Sequence, residues 1–221
     1  MNGNWEILGQ PGLQFFGKMS ASISHEIKNV MAIINENAGL LEDFTVMAEK
    51  GMPIDPQRLK TRASMIMKQI RRGDEIIQGM NRFAHSVDEP QRQADLNDTL
   101  SLMVALSNRF AFMRGVTLEL EPAAEPVPVV TNPFFLENLL WLCLDFAMGS
   151  TGAGKTVVLR AERSDTGPKI RFSRLQDLVH RDTCSFPGQH ETALLQTLKA
   201  GLALHKESGE IHLTFPVETE R

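Results

Sequence analysis

Several features are scarce in this 221-residue sequence, and each shortage excludes a class of protein. There are only two cysteines, Cys143 and Cys184, which is too few for a disulfide framework or a zinc cluster, so we expect two ordinary reduced thiols. No apolar run reaches the roughly 18 residues that a transmembrane helix needs, and no cleavable signal pattern is present. The net charge of −4 gives no electrostatic reason to expect nucleic-acid binding. We therefore predict a soluble, cytoplasmic protein that binds neither nucleic acid nor membrane.

The composition is that of a globular protein, with 42% hydrophobic and 23% charged residues. A chain of this size can bury a sizeable core and accommodates one large domain or two small ones. Because His25, discussed below, lies near the start of the chain, we expect no sensor domain before it.

Residues 15–44 have the apolar periodicity of a long amphipathic helix. Two rows of residues recur at seven-residue spacing, as in the seam of a helical bundle. The first row is Ser20, Ile27, Ile34 and Leu41, and the second is Phe16, Ile23, Val30, Asn37 and Phe44. His25 falls on the opposite side of this helix. We therefore expect its imidazole to face water, where it can act as a nucleophile.

The residues around His25 favour a chemical role over that of an ordinary solvated histidine. Glu26 follows directly and can accept the proton on one ring nitrogen, which leaves the other nitrogen with a lone pair for attack. Asn29 lies one helical turn further on the same face, where its amide can orient a water or a phosphoryl oxygen. We predict His25, Glu26 and Asn29 as catalytic residues and interpret Lys28 as solvated. A zinc-protease motif is excluded because Asn29 stands where that motif needs a second histidine.

A second helix is predicted after residues 51–56, where one glycine and two prolines end the first helix. Its apolar residues recur at steps of three and four: Leu59, Ala63, Ile66, Ile70, Ile77, Met80, Ala84 and Val87. The resulting antiparallel hairpin would leave one side of each seam exposed to water. Two copies that pair as a four-helix bundle bury both sides, so we predict a homodimer. Asn37, within the seam, is interpreted as a polar residue that sets the register.

The remainder of the chain changes in character. Residues 88–94 are polar and are interpreted as a linker. Helices are then expected at 95–114, 133–148 and 191–206, with strands at 116–120, 156–163, 169–172 and 211–215 and a proline-rich stretch before the second of these helices. Such alternation predicts a two-layer α/β sandwich with one mixed sheet. The predicted fold class is α+β, with a helical-hairpin dimerisation domain over residues 1–90 and the sandwich over residues 91–221.

Residues 24–30, which read SHEIKNV, resemble the phosphoacceptor helix of bacterial two-component histidine kinases. The signature of that family is Ser-His-Glu, an aliphatic residue, a basic residue and Asn or Thr, usually followed by proline. Val30 stands at the proline position, so a straighter helix is expected. The order of hairpin and sandwich is similar to the dimerisation and ATP-binding domains of these kinases. The resemblance implies phosphorylation of His25, a homodimer, and response-regulator receiver domains as partners.

The nucleotide-binding residues of that family are missing from this chain. The family pattern Asn-Leu-Leu-x-Asn reads NLLWL over residues 138–142, so Leu142, which has no lone pair for a cation, stands at the magnesium-side position. The family's Asp-x-Gly-x-Gly segment corresponds to residues 173–179, in which Asp177 has no glycine neighbours. The glycine-rich lid is expected near residues 194–197, where a helical pattern runs instead. The resemblance therefore implies that ATP binding has been lost, and we expect no cofactor and no metal.

Residues 149–156 read GSTGAGKT and match the spacing of a phosphate-binding loop. Such a loop needs a strand before it and a helix after it, so that the helix N-terminus faces the phosphates. Here a predicted helix precedes the segment and a predicted strand follows it. We interpret the segment as a helix-to-strand turn with an exposed Lys155.

These features predict a histidine phosphotransferase-like signalling protein, which passes a phosphoryl group through His25 to or from the aspartate of a receiver domain. Phosphoryl transfer depends on positioning and charge neutralisation, and the receiver's acidic pocket would supply the Mg²⁺. Two alternatives stay open. A divergent but active histidine kinase would use ATP through Asp177. A non-catalytic adaptor, or a phosphatase in which Asn29 positions a water, would act on a receiver domain.

Overall fold

The computed structural model describes residues 5–165, 167–183 and 185–216. Two long helices come first: α1 (Gln10–Glu49), which a π-helical segment (Trp5–Gly9) precedes, and α2 (Pro56–Ala84). The other helices are α3 (Leu96–Met113), α4 (Pro133–Met148) and α5 (Gln189–Leu198). The strands are β1 (Arg92–Asp95), β2 (Thr117–Glu121), β3 (Pro128–Thr131), β4 (Thr156–Ser164), β5 (Gly167–Ser173), β6 (Gly201–His205) and β7 (Glu210–Thr214). The predicted α+β fold class is confirmed.

By the contacts between its residues, the chain separates into two compact units. Residues Ser20–Arg82 form the first, which we call the hairpin unit. The residues up to Met19 and those from Phe83 onward form the second, which we call the sandwich unit. The domain boundary predicted after residue 90 stays a prediction, because compactness and independent folding are different properties.

The hairpin unit consists of the antiparallel parts of α1 and α2. Gly51 in the connecting turn has a φ of 78°, a conformation that is costly for a residue with a side chain. The side chain of Asp55 accepts the backbone N–H of Gln57 at 2.9 Å, and Pro56 takes the first helical position. The predicted turn and second helix are therefore confirmed, although α1 extends to residues 10 and 49 rather than 15 and 44.

The two predicted rows of α1 differ in burial within the hairpin unit. The members of the second row are buried: Ile23, Val30, Asn37 and Phe44. The members of the first row are only half-buried: Ser20, Ile27, Ile34 and Leu41. The apolar face of α1 is therefore wider than the part of it that is buried within one chain.

The sandwich unit contains a five-stranded mixed sheet in the order β2-β4-β5-β7-β6. Strand β2 runs parallel to β4, and every other neighbouring pair in this sheet is antiparallel. Strands β1 and β3 form a separate antiparallel pair. Helices α3 and α4 contact the sheet and each other, and α5 contacts α4. The sheet residues beneath the helices are fully buried: Val157, Leu159, Ala161, Ile170, Phe172, Ile211 and Leu213.

Local capping explains why α3 and α4 begin where the sequence predicts. The side chain of Asp95 accepts the backbone N–H of Asn97 at 2.9 Å and that of Val127 at 3.1 Å, so it caps α3 and fixes the segment before β3. The side chain of Asn132 accepts the backbone N–H of Phe135 at 2.9 Å, and a proline takes the first position of α4. Both predicted helix starts are confirmed.

Part of the predicted secondary structure is wrong. The sequence predicts a last helix that reaches residue 206, but α5 ends at Leu198, where Lys199 takes a left-handed conformation with a φ of 53°. Strand β6 follows, because Leu202 and Leu204 point to one face and pair with Leu213 and Ile211 of β7. The predicted linker and the proline-rich stretch contain β1 and β3. Each of these short strands completes the hydrogen bonds of the other, which a local pattern cannot show.

The open face of the sheet carries charges of both signs. Glu162 on β4 lies 2.7 Å from Lys169 on β5 and 4.0 Å from Arg171. Partial burial alone would raise the pKa of the Glu162 carboxyl. The hydrogen bond and charge of Lys169, with the charges of Arg171 and Arg160, outweigh this and hold that pKa below its usual value. The paired charges let this face stand in water without a second layer of helices.

Four phenylalanines form an aromatic cluster inside the sandwich unit. The Phe83 ring lies 5.5 Å from that of Phe15 and 5.3 Å from that of Phe16, measured between ring centroids. The Phe134 ring, at the start of α4, lies 5.7 Å from that of Phe15. These separations are typical of favourable aromatic pairs. The first turns of α1 and the last turn of α2 therefore belong to the packing of the sandwich unit.

Candidate functional site

His25 lies on the exposed side of α1 in the hairpin unit. Its neighbours Ser24, Lys28 and Asn29 are exposed as well. Within the described part of the chain, no residue forms a hydrogen bond or an ion pair with the exposed imidazole. The predicted exposure of His25 is confirmed, whereas its chemical role stays a prediction.

Asn29 follows His25 by four residues, so the two side chains lie on one face of α1. Residues at this spacing have Cβ atoms about 5–6 Å apart. The Asn29 amide makes no hydrogen bond to another residue in the described ranges, and an amide offers both donors and an acceptor. Its position is therefore compatible with the predicted role of holding a water or a phosphoryl oxygen beside the imidazole.

Glu26, the third predicted site residue, is engaged with the other helix of the hairpin. Its Oε2 lies 2.5 Å from Nη2 of Arg72 on α2, and the two side chains are 26% and 47% exposed. A charge-assisted pair at this distance fixes the direction of the carboxylate. Acceptance of the His25 ring proton by Glu26 stays a prediction, and it requires the carboxylate to turn from Arg72.

Asn37 is buried between the two helices of the hairpin unit. Its Nδ2 donates to the carbonyl of Ile33 at 2.8 Å, and its Oδ1 accepts from Nη1 of Arg62 at 3.3 Å. A buried amide with both ends satisfied is a structural group rather than a binding group. This environment agrees with the predicted register-setting role.

The sandwich unit holds the positions at which the resemblance would place a nucleotide. Leu142 is half-buried on α4 and offers only carbon atoms. Asn138, one turn earlier, is buried, and its Nδ2 lies 3.2 Å from Nε2 of His190. Nδ1 of His190 lies 2.6 Å from the carbonyl oxygen of Ile7, which can only accept, so Nδ1 donates to it and Nε2 is left to accept from the Asn138 amide. The remaining asparagine thus ties α4 to α5 and to the N-terminal segment.

An aromatic stack lies at the C-terminal end of α4. The ring of Phe186 lies 4.1 Å from that of Phe146 with an interplanar angle of 8°. The Arg181 guanidinium lies 4.7 Å from the centre of the Phe146 ring, and it also donates to the carbonyl of Gly149. Phe186, Phe146 and Arg181 therefore pack together one helical turn beyond Leu142. We call these three residues the α4 plug.

Asp177 lies on a short 3₁₀ turn (Gln176–Val179) that follows β5. Its side chain is exposed, and its backbone N–H donates to the carbonyl of Ser150 at 3.0 Å. A Cβ added to Gly152 would lie 3.0 Å from Asp177 Oδ1, so this carboxylate is packed against the glycine-rich turn. The segment that the resemblance would place beside an adenine packs here against the glycine-rich turn.

The GSTGAGKT segment joins α4 to β4 through a 3₁₀ turn (Gly152–Gly154). Lys155 is exposed and left-handed, with a φ of 46°. A helix before the segment and a strand after it is the reverse of a phosphate-binding loop, so no helix N-terminus is directed at a phosphate here. The interpretation as a helix-to-strand turn is confirmed.

Two other kinds of site have no candidate among residues 5–165, 167–183 and 185–216. No group of three or more His, Cys, Asp or Glu side chains could hold a metal ion. No helix there is long and apolar enough to cross a membrane. Burial, with the Glu191 charge as a second cause, raises the pKa of the Cys143 thiol, so this thiol stays protonated and unreactive. Cys184 lies outside the described residues.

Sequence reasoning missed the partners of the predicted residues. Arg72 was one of several basic residues on α2, and only the rotation of that helix brings it to Glu26. His190 shows no ligand spacing in the sequence, yet it links Asn138 to Ile7. The period of apolar residues shows which face of a helix is buried but not which residues of another helix contact it.

No protein-family model and no curated relative matches the sequence. Several solved structures are similar to it. A histidine kinase, AdeS, from Acinetobacter baumannii is 12% identical with a TM-score of 0.48, over 88% of this chain and 98% of that chain. A bacterial phosphotransferase is 16% identical with a TM-score of 0.46, over 91% and 95%. The histidine kinase ThkA in complex with the response regulator protein TrrA is 17% identical with a TM-score of 0.45, over 92% and 62%. At these values the likeness concerns the course of the backbone and not activity.

Proposed function

We propose that this protein is a histidine phosphotransferase of two-component signalling, which carries a phosphoryl group on His25 between receiver domains. The observation that carries the proposal is the exposed, unengaged imidazole of His25 in a Ser-His-Glu-Ile-Lys-Asn context. A phosphoryl group must be reached by a second protein on both the donor and the acceptor side. Only a solvent-facing nucleophile allows this.

Phosphoryl transfer to His25 requires only a few side chains of this protein. A lone pair on one imidazole nitrogen attacks the phosphorus of an aspartyl phosphate on the partner. The N–P bond forms as the P–O bond to the aspartate breaks, and the carboxylate returns to the partner's pocket. The proton on the other ring nitrogen can pass to a carboxylate, the role predicted for Glu26. Asn29, on the same face as His25, can hold one phosphoryl oxygen during the in-line transfer.

The sandwich unit supports a carrier rather than a kinase. Leu142 has no lone pair for Mg²⁺, Asn138 is bonded to His190, and Asp177 is packed against the glycine-rich turn. The α4 plug packs one helical turn beyond Leu142. The groups that would bind an adenine nucleotide are thus replaced or already engaged within the chain. On this proposal the phosphoryl group comes from a partner and not from ATP.

A homodimer completes the proposal. The first row of α1 is half-buried in one chain, and on α2 the side chains of Ile70 and Ile77 are 41% and 43% exposed. These β-branched residues belong to the row that the sequence assigns to a bundle seam. Pairing of two hairpins as a four-helix bundle would remove both surfaces from water.

Transfer of a phosphoryl group from phosphorylated receiver domains to this chain tests the proposed function. Receiver domains encoded in the same genome are labelled with radioactive acetyl phosphate, freed of the donor and mixed with the purified chain. We expect alkali-stable, acid-labile label on the chain, which is the behaviour of a phosphohistidine, and its loss in His25→Ala. His85→Ala is a matched control, since His85 is also exposed and should leave labelling unchanged. Label on the chain that survives in His25→Ala would refute the proposal, as would labelling from ATP alone.

Dephosphorylation of a receiver is a second candidate function, which the unengaged amide of Asn29 favours. In that case the amide positions a water for attack on the aspartyl phosphate and His25 carries no phosphoryl group. Asn29→Ala would then abolish loss of label from the receiver, while His25→Ala would not. For a phosphotransferase His25→Ala has the larger effect, because it stops transfer completely, whereas Asn29→Ala only slows it.

A further inference from the structure

The ion pair between Arg72 and Glu26 lies at the level of His25, where it links α2 to α1. We propose that Arg72 is a positioning residue for phosphoryl transfer: it holds the Glu26 carboxylate between the helices and so keeps it from pairing with the His25 ring. This inference rests on the proposed function, because it assigns a partner to the predicted proton acceptor. Arg72 is not proposed to touch the phosphoryl group.

The geometry of a helix makes this control effective. Successive residues of a helix are rotated by about 100°, so the Glu26 carboxylate has to fold back along α1 to reach the His25 ring. The contact of 2.5 Å with Arg72 draws the Glu26 carboxylate further towards α2. An imidazole without a carboxylate partner stays neutral over more of the physiological pH range, and only the neutral ring has a lone pair for attack.

The pair is also exposed enough to open. Exposed ion pairs contribute little to stability, because water solvates both partners and the side chains lose freedom. The acidic pocket of a receiver domain offers Arg72 other carboxylates at the moment of docking. Glu26 would then be released to accept the ring proton when the phosphoryl group arrives. The pair therefore holds the carboxylate away from the imidazole before docking and releases it as a proton acceptor afterwards.

Other charged groups near the pair define the electrostatic setting. Lys28 lies two residues after Glu26 on α1, and Lys68 and Glu75 lie within one turn of Arg72 on α2. Both lysines carry a positive charge, and Glu75 is another carboxylate within one turn of Arg72. These three residues stay unchanged in the variants below, so their effects cancel in the comparison.

A matched control exists ten residues earlier on α2. Arg62 also reaches from α2 to α1, but it donates to the neutral amide of Asn37 at 3.3 Å. Ten residues of helix span about 15 Å, which places Arg62 well away from His25. Arg62→Gln removes the same charge and a contact across the hairpin, without touching Glu26.

The experiment measures the reactivity of His25 without any partner protein. Diethyl pyrocarbonate acylates neutral imidazoles, and the rate at the His25 peptide is followed by mass spectrometry from about pH 5.5 to 8. The exposed His180 in the same sample is the internal reference. We expect Arg72→Gln to slow acylation of His25 about two- to fivefold near pH 6.5, the size of an exposed ion pair, and to move the midpoint of the rate profile to higher pH. Arg72→Lys should retain most of the wild-type rate, and Arg62→Gln all of it.

A double variant decides whether Arg72 acts through Glu26. In Glu26→Gln/Arg72→Gln no carboxylate is left to release, so the rate should return to that of Glu26→Gln alone. The inference is overturned if Arg72→Gln leaves the profile unchanged, or if the double variant is as slow as Arg72→Gln. Circular dichroism checks that the hairpin stays helical. Because acylation needs no receiver, a normal result here with no transfer from any receiver would refute the proposed function alone.

Discussion

Truncation of Phe186 tests whether the α4 plug alone keeps a nucleotide from α4, or whether the groups that would bind one are missing as well. The side chain is 7% exposed and stacks on Phe146, so Phe186→Ala removes a buried ring and an aromatic contact. Loss of a fully buried phenylalanine costs about 3–5 kcal/mol. The ring lies on the segment between a 3₁₀ turn and α5, which can relax into the space, so we expect the low end, about 3 kcal/mol of unfolding free energy. Roughly 1 kcal/mol of this is the stack itself.

The same variant should not bind nucleotide. Removal of the ring opens space beside α4, but Leu142 still offers no ligand for Mg²⁺ and Asn138 stays bonded to His190. Urea unfolding followed by circular dichroism gives the stability, and calorimetric titration with ATP, with and without Mg²⁺, gives the binding.

The matched control is Phe112→Ala. Phe112 is 84% exposed, so the same change in composition should alter the unfolding free energy by less than about 0.5 kcal/mol. Micromolar ATP binding by Phe186→Ala would refute the reasoning, because the nucleotide site would then be intact beneath the ring. An unfolding free energy equal to that of the wild type would show that the stack contributes nothing.

Three further predictions concern single residues. At neutral pH, Glu162→Gln should lower the unfolding free energy by about 0.5–1 kcal/mol, because a carboxyl whose pKa is lowered on folding stabilises the protein above its ordinary value of 4.5. The difference should vanish as the pH falls through the folded pKa, and urea midpoints across the acidic range check this sign. Gln69→Leu should stabilise the chain by about 1 kcal/mol, because the buried Oε1 of Gln69 has no hydrogen-bond partner, whereas Gln78→Leu, at an exposed position, should not. Thermal melts that rank the two variants in the opposite order would contradict this. Ile77→Lys should convert a dimer into a monomer in sedimentation velocity with helix content unchanged, and a dimer that persists would remove Ile77 from the interface.

The start of α4 shows what a local pattern is able to specify. Asn132 and the proline after it fix the start through one side chain and one ring, both of which act on their own neighbourhood. The predicted end of the last helix was wrong because it depends on residues distant in the sequence. Residues 201–205 are strand because β7 supplies partners for them, and the single alternating pair Leu202 and Leu204 is too short a pattern to separate this strand from the helix before it.

The residues of the candidate site also differ in how far the sequence predicts them. The exposure of His25 follows from the period of one helix, so heptad spacing was enough to predict it. Arg72 and the α4 plug bring together residues far apart in sequence, and their meeting depends on helix rotation and on how a loop closes. Neither quantity is encoded in a short segment, so no motif could have indicated them.

The aromatic cluster has a practical consequence for dissecting the molecule. A fragment that begins at residue 91 would carry the Phe134 ring but not those of Phe15, Phe16 and Phe83, which cover it. It would also lack Ile7, the acceptor for His190. Such a fragment would expose the apolar surface of Phe134 and leave the His190 side chain without its acceptor. A failure of this fragment to bind a nucleotide would therefore reflect the lost contacts and not a property of the intact protein. Experiments on the second half of this protein should keep the first nineteen residues and the end of α2 attached.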